Sequence, residues 1–167
     1  PGVEGRAGLP LYSQGAEQDV DAIAISHCHQ DHCGSLPVAL RHFPQARVLM
    51  TEPSYFLIER VLHNSVNVMK RQRTERNIPD YPLFHHNEVD EFSYLFQGFK
   101  YGKAEPWSPV RPGTADEPAP TVSFHPAGHV LGSAGLRVAH GRESLFYTGD
   151  VCFHDQTLSP KADFSGT

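Results

Sequence analysis

Four residues of types that commonly bind metal ions lie within six positions of one another early in the chain: His27, His29, Asp31 and His32. Imidazole and carboxylate side chains suit zinc and similar divalent ions. In an extended loop, alternation turns His27 and His29 the same way, and a turn into a following helix would carry Asp31 and His32 to a second position. The spacing therefore offers ligands for two metal ions. The alternative is a polar loop with chance histidines, in a chain that has 11 of them.

The residues around this cluster indicate the elements that would position it. A buried strand is predicted at residues 19–26, because residues 22–25 are apolar and partly β-branched. A helix should begin after Ser35 as its N-cap and stop at Pro44, with one apolar face packed on the sheet. Cys28 lies between two candidate ligands, and alternation should turn its side chain inward, away from any metal or redox role.

Two further motifs place candidate ligands next to later strands. His129 is flanked by Gly128 and Gly132, which permit sharp backbone turns and close approach. Asp150 follows a glycine at the end of a predicted strand at residues 144–148, where a rigid element can aim a carboxylate. Alone, His129 would suit a turn and Asp150 a strand-end cap. With the first cluster, they bring the candidate set to four histidines and two aspartates.

The middle of the chain is predicted to continue with helices. Thr51, after a short strand at residues 47–50, should cap a helix that runs to about residue 72. A third helix, capped by Asn87, is expected at residues 88–97. Residues 104–120, with five prolines, should form a connection. Two more strands are then expected, at residues 121–124 and 136–139, and a hairpin turn at residues 140–143 leads into the strand before Asp150.

Two polar clusters in this region allow a structural and a functional interpretation. Lys70, Arg71, Arg73 and Arg76 lie at the predicted end of the second helix. Cations at that position complement the helix dipole, whereas the functional alternative is a patch that contacts phosphates. His85 and His86 precede the third helix, and we expect adjacent histidines there to be surface residues rather than ligands.

Length, composition and charge restrict the class of protein to which the chain can belong. The chain has 167 residues, about the length of one domain, with 39% hydrophobic and 20% charged residues. A net charge of −5 does not favour nonspecific nucleic-acid binding by the whole surface, although a local basic patch is compatible with it. Three cysteines without a C-x-x-C motif indicate reduced thiols in a cytoplasmic protein. No apolar run predicts a membrane span, and the oligomeric state is left open.

Three motifs together carry a family resemblance: Ser26-His27-x-His29-x-Asp31-His32-x-Gly34-x-Leu36-Pro37, Ala-Gly-His-Val-Leu-Gly-Ser-Ala at residues 127–134, and Tyr-Thr-Gly-Asp at residues 147–150. The run from residue 19 to 160 resembles the metallo-β-lactamase fold, and within it the β-CASP branch of RNase J-like and messenger 3′-end processing nucleases. The first motif is shared across the superfamily, and the second favours the nuclease branch over lactamases, lactonases and glyoxalase-like thioesterases. The resemblance implies an α/β fold, an αβ/βα sandwich of two sheets flanked by helices.

The resemblance also implies an RNA-cleaving hydrolase with two divalent metal ions, zinc above all. It divides the candidate ligands between two ions that share a carboxylate: His27, His29 and His129 on one ion, Asp31 and His32 on the other, and Asp150 as the bridge. A hydroxide formed from a water between the ions would attack the phosphorus of a phosphodiester. Asp31 would orient that water as a catalytic base.

The sequence departs from the family pattern at both ends. It lacks the early strand-end aspartate, and it stops at Thr167, before the clamp domain, a further histidine ligand and the histidine that acts on the leaving group. We therefore expect residues 1–167 to be a partial metallo-β-lactamase domain, an internal piece of a longer protein with little activity by itself. His154 receives no ligand role and should be a surface residue.

Two rival functions are open at this stage. One is another metallo-β-lactamase fold hydrolase that acts on an ester, a thioester or a lactam. The other is a metal-binding subunit without catalysis, which the complete ligand set disfavours because degenerate relatives usually lose ligands. Labelled RNA and nitrocefin as substrates would separate these functions.

Overall fold

The computed structural model describes residues 4–15, 19–107, 119–165 and 167, and this part of the chain contains two sheets. The first sheet is parallel, with strand order β1 (Ala22–Ala24), β2 (Arg47–Thr51), β3 (Phe96–Phe99). The second is antiparallel, with strand order β4 (Glu105–Pro106), β5 (Thr121–Pro126), β6 (Ala134–His140), β7 (Glu143–Tyr147). The helices are α1 (Gln30–Cys33), α2 (Leu36–His42), α3 (Glu52–Glu75) and α4 (His86–Phe92), with 3₁₀ turns at Gly5–Gly8, Tyr12–Gln14 and Ser93–Leu95.

Two apolar clusters hold these elements in layers. The first joins the helices to the parallel sheet and includes Val48 of β2 and Leu62 of α3. The second lies between the two sheets, where Leu49 of β2 meets Val122 and Phe124 of β5. Neighbouring residues of β2 serve different layers because side chains alternate along a strand. The described residues thus stack as helices, parallel sheet and antiparallel sheet, in agreement with the predicted α/β class.

Several predicted elements are confirmed with shifted ends. The first strand is shorter than predicted, although the amide of Ile25 still donates to the carbonyl of Leu49 at 2.8 Å. Thr51 caps α3 as predicted, since its hydroxyl accepts from the amide of Ser54 at 3.4 Å, and the helix extends beyond residue 72 to Glu75. The strands β5, β6 and β7 and the turn between the last two follow the prediction closely.

The predicted helix over residues 88–97 is wrong in its second half. The helix ends at Phe92, and after a 3₁₀ turn residues 96–99 form β3, which pairs in parallel with β2. Phe96 is buried in the first core cluster, so tertiary packing of an aromatic residue on the sheet outweighs its local helical pattern. Gly98 allows β3 to pass close to α3, because a Cβ there would lie 3.2 Å from the Cα of Glu52.

Of the two remaining cap predictions, the one at Ser35 is confirmed in position and the one at Asn87 is wrong. Ser35 is the N-cap of α2, but its side chain makes no capping bond, because its hydroxyl is hydrogen-bonded to that of Tyr12 at 2.7 Å. Asn87 is not the cap of α4. His85 is, and its backbone amide donates to the Glu88 carboxylate at 2.9 Å. The helix therefore begins two residues earlier than predicted.

The basic cluster at the end of α3 is engaged within the protein. Arg71 lies 3.7 Å from Glu75, Arg76 lies 2.7 Å from Glu4, and Arg73 donates to the carbonyl of Tyr81 at 2.8 Å. These contacts favour the structural interpretation of the cluster. The predicted connection at residues 104–120 contains β4, and its residues 108–118 lie outside the described part. None of the helices that the structure describes is long and apolar enough to span a bilayer.

Candidate metal centre

The first histidine cluster lies where the parallel sheet ends and α1 begins. His27 and His29 follow β1, and His29, whose backbone is extended, is the N-cap residue of α1. Asp31 and His32 lie within α1, a short helix that precedes the predicted one, whereas the prediction placed them in the turn before the helix that begins after Ser35. The turn of the helix therefore carries the second pair of side chains to a different position from the first pair.

His129 lies in the loop between β5 and β6, which Ser133 holds in shape. The Ser133 hydroxyl accepts hydrogen bonds from the amides of His129 at 3.0 Å and of Val130 at 3.1 Å. Ser133 is 2% exposed, so these bonds are shielded from water. From the far side, the hydroxyls of Thr51 and Ser54 donate to the carbonyl of Gly132 at 2.7 and 3.1 Å. The start of α3 thereby fixes the loop that carries His129.

Asp150 follows β7, and a close backbone approach positions it. Gly149 has φ of +58° and packs on Ser26, whose Cβ would lie only 2.9 Å from a Cβ at residue 149. The same Ser26 accepts a hydrogen bond at its carbonyl from the amide of Ala134 at 2.8 Å. The end of β1, the start of β6 and the segment after β7 therefore meet at Ser26, directly before His27.

Four of the predicted ligands converge at this junction. The ligand atoms of His27, His29, His129 and Asp150 lie within 4.8 Å of one another. Nε2 of His129 is 3.1 Å from Nδ1 of His29, and the His27 and His129 ring centroids are 5.0 Å apart. Imidazole nitrogens with a carboxylate oxygen match the donor set and the coordination number of a zinc site.

The two oxygens of Asp150 face different groups of side chains. Oδ2 lies 3.5 Å from Nε2 of His129 and 3.9 Å from Nε2 of His27. Oδ1 lies 3.5 Å from Nε2 of His32, which is itself 3.6 Å from Oδ2 of Asp31. Asp150 thus stands between a group of three histidines and the pair formed by Asp31 and His32.

His27 provides the test of whether these residues suit a metal ion. In the described part of the chain, its Nε2 is a fully buried side-chain nitrogen with no hydrogen-bond partner, while its Nδ1 lies 3.2 Å from the Ser26 hydroxyl. Burial, followed by the nearby imidazoles of His32, His29 and His129, lowers the pKa of His27 to about 4. A neutral, buried nitrogen without a partner, facing other ligand atoms, fits a bound cation.

The other residues considered from the sequence fall outside this donor set. Cys28 is buried and its thiol donates to the carbonyl of Ser54 at 3.3 Å, in agreement with the predicted inward orientation. Burial raises the pKa of Cys28, so the thiol stays protonated rather than forming the thiolate that binds metals. His154 is exposed, as predicted.

Residues that hold the candidate ligands in place were not predicted from the sequence. Ser133 lies within the motif at residues 127–134, but the motif alone gives it no role. Gln156 was not considered, although its side-chain amide donates to the carbonyls of Gly128 at 3.1 Å and His129 at 3.2 Å. The serine could have been suspected, because a serine hydroxyl near a glycine turn commonly accepts from local backbone amides. No local pattern indicates the glutamine.

Several known proteins that are similar to this chain have names that refer to RNA cleavage or transcription termination. The chain is 30% identical over 151 residues to endoribonuclease YSH1 of Gibberella zeae, covering 90% of this chain and 17% of the relative. It is 32% identical to ribonuclease TTHA0252 of Thermus thermophilus, covering 87% and 31%. It is 29% identical to transcription termination factor FttA of Methanocaldococcus jannaschii, covering 84% and 20%. The chain thus spans less than a third of the length of each of these relatives.

These relatives are β-CASP RNA-processing nucleases, the branch that the block at residues 127–134 predicts. One solved structure, that of Igni18, a metallo hydrolase from the archaeon Ignicoccus hospitalis, matches with a TM-score of 0.46 at 16% identity, over 85% of this chain and 47% of that one. The model of the metallo-beta-lactamase superfamily matches residues 1–162. With the fold and the histidine cluster in agreement, the chain belongs to the metallo-beta-lactamase superfamily, whose members bind divalent metal ions.

Proposed function

We propose that the protein is a metal-dependent phosphodiester hydrolase that acts on RNA. The observation that carries the proposal is the position of Asp150, whose two oxygens face the three-histidine group on one side and His32 on the other. A carboxylate placed in this way can serve two cations at once. When bound, a pair of divalent ions supplies Lewis acidity, which lowers the pKa of water and neutralises charge on the phosphoryl oxygens.

The side chains of the candidate metal centre would have different roles, which follow from how buried each one is. His27, His29 and His129 would hold one ion, and Asp31 and His32 would hold the second, with Asp150 shared. His27 is fully buried and offers a neutral nitrogen, whereas the side chain of Asp31 is 79% exposed. An exposed carboxylate beside the second position can accept a proton from a water that approaches from solvent. We therefore assign Asp31 the role of orienting base.

Zinc is the ion that we propose, with the three-histidine position as the tighter one. The ligand atoms of His27, His29, His129 and Asp150 lie within 4.8 Å of one another and supply the four donors that zinc prefers, whereas the other position draws on Asp31, His32 and the shared Asp150. At limiting zinc, anomalous scattering should place one ion among the three histidines. An ion beside Asp31 and His32, with the three-histidine position empty, would reverse this ranking.

RNA is proposed as the substrate because three of the relatives are named as an endoribonuclease, a ribonuclease and a probable RNase. A cytoplasmic location also belongs to the proposal, and the three free cysteines suit a reducing compartment. The experiment is hydrolysis of labelled RNA by the full-length protein, with nitrocefin as the alternative substrate. Cleavage of nitrocefin without RNA cleavage would favour a lactam hydrolase, and zinc binding without either would favour a non-catalytic subunit.

The Asp150→Asn substitution tests the shared carboxylate. It removes one negative charge while keeping the shape of the side chain, so RNA cleavage by the full-length protein should fall by orders of magnitude with an unchanged circular dichroism spectrum. Asp19→Asn is the matched control, because Asp19 is exposed at the protein surface outside the ligand set. Near-parental cleavage by Asp150→Asn would exclude the bridging role.

A further inference from the structure

A second group of metal-ligating side chains joins α3 to α4 and shares no residue with the candidate metal centre. Glu59 and His63 lie one helical turn apart on α3, and Asp90 faces them from α4. Their ligand atoms lie within 4.8 Å of one another. Nε2 of His63 is 3.2 Å from Oδ1 of Asp90 and 3.8 Å from Oε1 of Glu59.

The hydrogen bonds of His86 determine which nitrogen of His63 carries hydrogen. Nε2 of His86 lies 3.2 Å from the amide oxygen of Asn67, an acceptor, so this nitrogen donates. Nδ1 of a neutral His86 is then a lone pair, and it lies 2.8 Å from Nδ1 of His63. The contact requires His63 to donate from Nδ1. A neutral His63 therefore presents its own lone pair at Nε2.

Three electron-rich atoms consequently converge between the helices. A proton on Nε2 of His63 could reach Asp90, but the Glu59 oxygen at 3.8 Å is beyond hydrogen-bonding distance. A cation can serve all three atoms. Ligand atoms about 2.0–2.2 Å from a tetrahedral zinc ion are ~3.3 Å apart, which is already close to the spacing of His63 and Asp90. The Glu59 oxygen would have to approach Nε2 of His63 by about 0.5 Å, and the Glu59 side chain is 53% exposed, so it can move.

The geometry points to a divalent-cation site of the zinc class formed by Glu59, His63 and Asp90, with water completing the coordination shell. His86 acts as the positioning residue, because it accepts the Nδ1 hydrogen of His63 and thereby directs the Nε2 lone pair to the ion. The ion would join α3 to α4. Since the side chains of Glu59 and Asp90 are 53% and 65% exposed, the site can exchange its ion with solvent.

Stoichiometry of zinc binding is the first test. The purified protein is titrated with zinc in competition with a chromophoric chelator, and Asp90→Asn should bind one ion fewer than the parent. Glu91→Gln is the matched control, since Glu91 is exposed on the same helix and outside the group, and it should keep the parental number. His86→Ala leaves all three ligands in place and should weaken this site about 10–100-fold, the usual effect of removing an outer partner.

Imidazole ¹⁵N spectra give a second readout that is independent of catalysis. At saturating zinc, His63 should carry hydrogen on Nδ1 and show a metal-shifted Nε2, while His85 should remain unshifted. Equal zinc stoichiometry for Asp90→Asn and the parent would overturn the proposal. So would retention of hydrogen on Nε2 of His63 at saturating zinc, which would mean that the three atoms share a proton rather than a metal ion.

Discussion

Replacement of Gly128 by alanine tests how the His129 loop is held against the end of the chain. Gly128 has φ of +72°, and a Cβ there would lie 2.5 Å from the amide nitrogen of Ala162 and closer still to the carbonyl oxygen of Cys152. That amide and that carbonyl are hydrogen-bonded to each other at 2.8 Å. The methyl group would therefore press on both partners of a backbone bond, which cannot rotate away as a side chain can.

The loss of folding stability in Gly128→Ala can be separated into contributions by comparison with Gly102→Ala. That residue has φ of +73°, and a Cβ there would meet nothing within 4 Å, so Gly102→Ala isolates the backbone strain at roughly 1–2 kcal/mol. Gly128→Ala adds overpacking of about 1–3 kcal/mol and a lost hydrogen bond of about 1 kcal/mol. We expect Gly128→Ala to destabilise the protein by about 3–6 kcal/mol in total.

Thermal unfolding and zinc competition together provide the assay. With about 2–4 °C per kcal/mol for a chain of this size, Gly128→Ala should unfold well below Gly102→Ala. Zinc affinity should fall in Gly128→Ala alone, because the displaced backbone carries His129. Equal unfolding temperatures and equal zinc affinities for the two variants would refute the argument that close packing at Gly128 positions this ligand.

Three more substitutions test the His129 loop, the core between the sheets and the Arg41–Glu88 ion pair. Ser133→Ala leaves the amides of His129 and Val130 without their acceptor, so urea unfolding should show a loss of about 1–3 kcal/mol, with exposed Ser144→Ala as the control. Leu49→Ala empties a fully buried position between the sheets and should cost about 2–5 kcal/mol in the same assay, whereas Leu145→Ala, 68% exposed, should be near neutral. The hydrogen bond from Arg41 lowers the pKa of Glu88. The ionised Glu88 therefore stabilises the fold at pH values above its unfolded-state pKa. This contribution is lost as the pH falls through its folded-state pKa. Glu88→Gln should therefore cost about 1 kcal/mol at pH 7, and the difference from the parent should shrink below about pH 4; a pH-independent difference would contradict this account.

The candidate ligand residues could be selected from the sequence because their chemistry is concentrated in short motifs. His27, His29, Asp31 and His32 are close in the chain, and strand alternation followed by a helix is enough to separate them into two groups. The loop that places His129 depends instead on Thr51 and Ser54, more than 70 residues earlier in the chain. Such contacts leave no periodic signal. The same holds for the group around His63, which the spacing of Glu59 and His63 only hints at.

The fold was harder to predict wherever local and tertiary preferences disagree. Residues 93–97 continue a helical apolar pattern, yet Phe96 pairs with Val48 in the parallel sheet and is buried there. Periodicity cannot separate a short buried strand from a continuing helix, because both present closely spaced apolar residues. The wrong helix prediction therefore lies at the edge of the parallel sheet, where only the nearby strand β2 decides whether residues 96–99 form a strand or continue the helix.

The arrangement around Ser26 explains why the metal centre and the fold should respond to perturbation together. Ser26 lies two residues after β1. Its carbonyl accepts a hydrogen bond from the amide of Ala134 in the second sheet and it packs against Gly149, so the two sheets meet one residue before His27. His27 is fully buried at this junction with an unpartnered nitrogen. A cation bound there compensates a polar atom that would otherwise lower stability, and it links residues of both sheets. Its binding free energy accordingly becomes folding free energy, and removal of metal by a chelator should lower the unfolding temperature of the parent more than that of His27→Ala.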